Sequence, residues 1–90
     1  MTKRHDPESL IDFPCHYQFK AIGSGGEMFR RDVIQAVAVH APVPQDSVRA
    51  QPSRLGNYQS VSVVLTIHNS AQLKAIYSEL NKVSGLKMLL

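Results

Sequence analysis

Ninety residues, 43% hydrophobic and 19% charged, are enough for one hydrophobic core and lack the apolar depletion of a disordered chain. The net charge of +3 permits an anionic partner, but the basic residues are dispersed, among them Lys3, Arg4, Arg30, Arg31, Arg49, Arg54, Lys74, Lys82 and Lys87. That pattern reads as solvated surface and argues against nucleic acid. A lone cysteine, Cys15, excludes an internal disulfide and suits the cytoplasm, while the absence of an apolar run of about 20 residues argues against a membrane span.

In chain order, residues 1–12 read as a flexible polar tail that ends by docking Leu10 and Ile11, with Phe13 and Pro14 opening a single domain over 13–90. From Cys15 to Ile22, Tyr17, Phe19 and Ala21 alternate with His16, Gln18 and Lys20, the period-two pattern of a half-buried strand, β1. Gly23-Ser24-Gly25-Gly26 breaks it. Phe29, Val33, Ala36, Val37 and His40 then follow helical spacing as α1, with Ser24 as the expected N-cap and Glu27 favouring the helix dipole. Ala41-Pro42-Val43-Pro44 stops this helix near His40.

Val48 to Ser53 reads as β2, and Pro52, which has no amide for a ladder, assigns it to a sheet edge. Arg54-Leu55-Gly56-Asn57 is a tight connection in which Gly56 and Asn57 tolerate positive φ. Tyr58 to His68 follows as β3, long and rich in β-branched residues, which argues for a central position. Asn69 can cap a second helix, α2, with Gln72 as its capping-box partner and Leu73, Ile76, Tyr77 and Leu80 on one face. Lys82 is expected in its last turn and Gly85 at its C-terminal cap. Leu86 to Leu90 closes the chain as β4.

The order βαββαβ predicts an α+β, ferredoxin-like two-layer sandwich with an antiparallel sheet ordered 4-1-3-2 and both helices on one face. Gln18, Lys20, Arg49, Gln51, Ser60, Ser62, Val64 and Thr66 are then expected on the open face, without an aromatic platform for stacking bases. Tyr17, Phe19 and Tyr77 are expected to face the core.

Little catalytic chemistry is visible. The turn Gly23, Ser24, Gly25 and Gly26 opens a helix and can present backbone amides to a carboxylate or phosphate. It lacks the lysine ending of a P-loop and the spacing of a dinucleotide fingerprint. The histidines, His5, His16, His40 and His68, have no short spacing, so neither a metal nor another cofactor is expected. Cys15 has no local base, and no catalytic pattern is present, so the chain is not expected to be an enzyme.

The stretch Pro52-Ser53-Arg54-Leu55-Gly56-Asn57-Tyr58-Gln59-Ser60-Val61-Ser62-Val63 strongly resembles the bacterial YbeD-like family of small proteins, over about Leu10 to Leu90. Phe13-Pro14, Gly23, His40-Ala41-Pro42, Tyr77 with Glu79-Leu80, and Met88-Leu89-Leu90 match as well. The family has no settled biochemical function and looks like the ACT type of ferredoxin-like domain, a small-molecule sensor attached to enzymes of amino-acid metabolism. The resemblance implies, by analogy, a regulatory or ligand-binding module. In ACT-type domains the ligand lies near the β1-α1 turn at an interface between domains, which carries over to Gly23 alone.

Three functions follow as expectations. The first is binding of a small carboxylate or amino acid at Gly23, Ser24, Gly25 and Gly26. The second is an adaptor that engages a protein partner, or a second copy in a homodimer, through an edge strand or the open sheet face. Ser53, Arg54, Gly56, Asn57, Tyr58 and Ser60 would form its recognition edge, although the same residues can equally serve the hairpin's own geometry. The third is weak RNA binding.

Overall fold

The computed structural model describes residues 12–90, so the expected docking of Leu10 and Ile11 lies outside the described residues. The elements run β1 (Cys15–Ser24), α1 (Glu27–Ala38), a short 3-10 turn (Gln45–Ser47), β2 (Val48–Pro52), β3 (Tyr58–Ile67), α2 (Ser70–Leu80) and β4 (Leu86–Leu89). They form one antiparallel sheet ordered β2-β3-β1-β4, the expected order read from the other edge.

Alternation produces the core. Phe19 and Ala21 of β1 and Val61, Val63, Leu65 and Ile67 of β3 are buried, as are Phe29, Val33 and Val37 of α1 and Leu73, Ile76 and Leu80 of α2. One sheet face is therefore covered by the apolar stripes of two helices, and the other stays open. At the core margin the Tyr17 and Tyr77 hydroxyls lie 2.9 Å apart, and Tyr77 packs edge-on to Phe19. Burial, then the hydrogen bond to Tyr17, raises the Tyr77 phenol well above its usual range.

Pro52 does mark an edge. Ser53 donates its amide inward to the Tyr58 carbonyl (2.8 Å), so alternate amides of β2 point inward and the nitrogen of Pro52 falls on the outward side, where no ladder partner is lost. No helix among the described residues is long and apolar enough to cross a membrane.

Several boundaries differ from expectation. Ser24 is not the N-cap of α1: pairing with Tyr58 draws it into β1, and Gly26 stands at the cap (φ 110°) with no side-chain hydrogen bond. Helix α1 ends at Ala38, two residues before His40, whose Nε2 lies 3.8 Å from Glu79 Oε2. Strand β2 stops at Pro52, β3 at Ile67 and β4 at Leu89.

The Asn69 cap forms as expected, with Oδ1 accepting from the Gln72 amide at 2.8 Å. Gln72 reaches back to the amide of His68 rather than that of Asn69 (2.8 Å), and also donates to the His40 carbonyl at 3.3 Å. Asn81, not Gly85, caps the end of α2, leaving Lys82 beyond the helix; Gly85 (φ 85°) instead turns the chain into β4.

Candidate functional site

The two stretches singled out from the sequence meet at one corner of the sheet. The Gly25 amide donates to the Asn57 carbonyl at 3.2 Å, joining the β1-α1 turn to the β2-β3 hairpin. A Cβ at Gly25 would lie 2.6 Å from the Gly56 carbonyl oxygen, and one at Gly23 would run into the Phe29 ring and lie 2.6 Å from the Gly85 carbonyl oxygen. Both glycines are required by close approach. Within the hairpin, Ser53 accepts the Tyr58 amide on Oγ (3.2 Å) and the Gly56 amide on its carbonyl (3.0 Å). Gly56 alone takes positive φ (79°); Asn57 does not.

The clasp is Gln59, a residue the sequence reading passed over. It is the buried polar side chain of the described residues, 8% exposed. Its Nε2 donates to the carbonyls of Ser24 (3.1 Å) and Gly26 (2.5 Å). The signal was available, because Gln59 shares the inward parity of Val61, Val63, Leu65 and Ile67, and a polar group buried among them must find partners. This clasp also uses up donors. The Ser24 amide donates to the Gly85 carbonyl at 3.2 Å and the Gly25 amide to Asn57, so in this arrangement neither is free for an anion.

Beside the corner lies the open sheet face. Lys20 and Arg49 both stand opposite Ser62, Ile22 and Gln51 both stand opposite Ser60, and Ser24 stands opposite Tyr58. Lys20 exchanges backbone hydrogen bonds with Leu90 on its other side (3.1 and 2.8 Å). Tyr58 is 47% exposed and shares the face of Ser60 and Ser62, which adds one aromatic ring to the residues expected there. The expected recognition edge is therefore divided. Tyr58 and Ser60 display side chains on the sheet, Arg54, Gly56 and Asn57 are exposed on the hairpin, and the Ser53 hydroxyl is engaged in closing it.

Two depressions flank the Lys20-Ser62-Arg49 row. One, of about 230 Å³, is lined by Lys20, Ile22, Gln51, Tyr58 and Ser60. The other, of about 410 Å³, is lined by Gln18, Asp46, Ser47, Arg49, Ser62 and Val64. Among the described residues no carboxylate comes within ion-pair distance of Lys20 or Arg49. Nor do three His, Cys, Asp or Glu side chains gather there as a metal site.

The fold and this corner define a small ferredoxin-like α+β domain with one open sheet face. The chain matches, over residues 8–90, the family described as "Protein of unknown function (DUF493)", and it belongs to that family of small bacterial UPF0250, YbeD-like proteins. A UPF0250 protein of Neisseria gonorrhoeae is 34% identical over 91 residues, covering 100% of both chains.

Two solved structures are similar in fold. Protein HP0495 from H. pylori has a TM-score of 0.66 at 14% identity, covering 98% of each chain. The uncharacterized protein TM1266 from Thermotoga maritima has a TM-score of 0.58 at 16% identity, covering 83% of this chain and 92% of that one. The family description assigns no catalytic activity.

Proposed function

We propose that the chain is a non-catalytic regulatory or ligand-binding module of ACT-like form, which binds through the open sheet face and the clasped corner beside it. The observation that carries this reading is the clasp. A buried amide, a backbone hydrogen bond and a close glycine contact hold two exposed loops in one arrangement beside an uncovered surface. Loops held this way lose less freedom when a ligand binds. The first turn of α1, without a side-chain cap, can add to the ligand's surroundings. A cytoplasmic setting belongs to the same proposal and is supported by the single cysteine.

Amide NMR shifts and thermal melting of the full chain with amino acids, small carboxylates and phosphate esters test the proposal. A ligand should raise the melting temperature and shift amides among Lys20, Ile22, Gly23, Gln51, Tyr58 and Ser60. If no compound in any class does so, the reading is wrong.

A second reading, the adaptor that pairs through an edge, is favoured by β2. The amides of Val48 and Ala50 point outward with Pro52, and Ala50 is exposed. Under it, the chain should form a homodimer in light scattering that Ala50→Pro abolishes while leaving the monomer folded. A wild-type monomer at high concentration would dismiss that pairing.

A further inference from the structure

The structure assigns the Lys20-Ser62-Arg49 row as a binding site for a phosphate ester, with the depression between Ile22 and Tyr58 holding the ester's planar or apolar body. This inference rests on the binding-module reading and names its ligand class.

Register makes the site. Lys20 and Arg49 are far apart in sequence, yet both stand opposite Ser62 on the open face. The Ser62-Arg49 pair is of the hydrogen-bonded type and the Lys20-Ser62 pair of the non-bonded type, so the Cα atoms of Lys20 and Arg49 are about 10 Å apart. Two long cationic side chains so placed can meet one anion above the Ser62 hydroxyl.

Charge complementarity selects the occupant. The strand residues of the open face are His16, Gln18, Lys20, Ile22, Ser24, Arg49, Gln51, Tyr58, Ser60, Ser62, Val64 and Thr66, with Met88 opposite Ile22, and none is acidic. Of the described acids, Glu27, Asp32 and Glu79 belong to the helices and Asp12 precedes β1. Asp46 is the exception near the row, lining the larger depression with Arg49 but forming no ion pair with it. A second copy laid face to face would oppose cation to cation, which disfavours that occupant.

Between anions, the donor set favours phosphate over carboxylate. Lysine offers three donors and the arginine guanidinium five, and the Ser60 and Ser62 hydroxyls and the Gln18 and Gln51 amides surround them. A phosphate monoester brings three acceptor oxygens and a charge of about −1.5 to −2, which matches the two cations, neither of which has an ion-pair partner among the described residues. A carboxylate brings two oxygens and a single charge. Ile22 and Tyr58 supply the apolar surface for the rest of the molecule, since Tyr58 offers a ring face and Lys20 lines the same depression.

The test titrates the full chain, followed by amide NMR, with adenosine 5′-monophosphate, adenosine, inorganic phosphate, glycine and an eight-residue oligouridine. The monophosphate should shift Lys20, Ser62 and Arg49 together with Ile22 and Tyr58. Inorganic phosphate should shift the first three and leave Tyr58 in place. Lys20→Gln and Arg49→Gln, both on an open surface and expected to fold, should each weaken the monophosphate by about tenfold.

Adenosine binding as tightly as its monophosphate would overturn the inference. So would glycine shifting the face while every phosphate leaves it unmoved, although the binding-module reading would then stand. Oligouridine binding with the mononucleotide silent would transfer the face to single-stranded RNA and remove the small-ligand assignment. If no probe shifts the face or the corner, both readings fall.

Discussion

Replacing Gln59 tests the clasp most directly. In Gln59→Ala two hydrogen bonds to the Ser24 and Gly26 carbonyls disappear. Each is worth roughly 1 kcal/mol net, and a carbonyl left buried and unpaired can cost about 1 to 3 kcal/mol. Gly26 is exposed and its carbonyl can turn to water, whereas Ser24 is half-buried. The sum is therefore about 2 kcal/mol, with a further fraction from the lost side-chain packing. Urea denaturation should show this as a lower midpoint at unchanged slope, and hydrogen exchange at the Gly25 amide should quicken as its bond to Asn57 opens more often.

Gln59→Glu adds a sign. An ionised carboxylate donates nothing and faces two carbonyl oxygens, so its folded-state pKa is raised above the unfolded value of about 4.3. The variant should approach wild-type stability only below about pH 4 and lose stability as pH rises through the folded pKa. A Gln59→Ala variant within about 0.5 kcal/mol of wild type, or a Gln59→Glu variant whose deficit does not change with pH, would refute the role given to this side chain.

Three further outcomes are expected. Gly25→Ala should destabilise by roughly 1 to 3 kcal/mol in urea titration, because its Cβ would meet backbone oxygen rather than a side chain that can swing away. Asn69→Ala should cost about 1 kcal/mol in the same assay through loss of the cap on the Gln72 amide. Tyr77 should titrate above the ordinary phenol range in an ultraviolet pH titration, because burial and Tyr17 both oppose its ionisation. The unfolded chain releases that proton at about pH 10, so stability should fall as pH rises beyond it, a loss that Tyr77→Phe should reduce.

The ferredoxin-like order was legible in the sequence because it depends on short-range periodicity. Alternation at Tyr17, Phe19 and Ala21 and again from Val61 to Ile67 marks two half-buried strands. The 3.6-residue spacing of Phe29, Val33 and Val37 and of Leu73, Ile76 and Leu80 marks the helices that cover them. Pro52 identified an edge strand by its missing donor, and the Pro52 to Val63 stretch carried the family resemblance. Gln59 could also have been found, as a polar residue at a buried parity.

Tertiary structure decided what depends on partners distant in sequence. Ser24 became a strand residue because Tyr58 pairs with it across the sheet, an interaction that local cap preference could not register. Gly25 is required because the hairpin carbonyl of Gly56 comes close to it, although its own neighbours suggest only a flexible turn. Lys20 and Arg49 became neighbours through the register of three strands, and a one-residue slip of β2 would turn Arg49 to the helix side. Periodicity in the sequence thus determined which elements form and which faces they bury. Register and loop-to-loop hydrogen bonds, set only once the sheet is assembled, decided which polar groups are used within the fold and which stay open to a ligand.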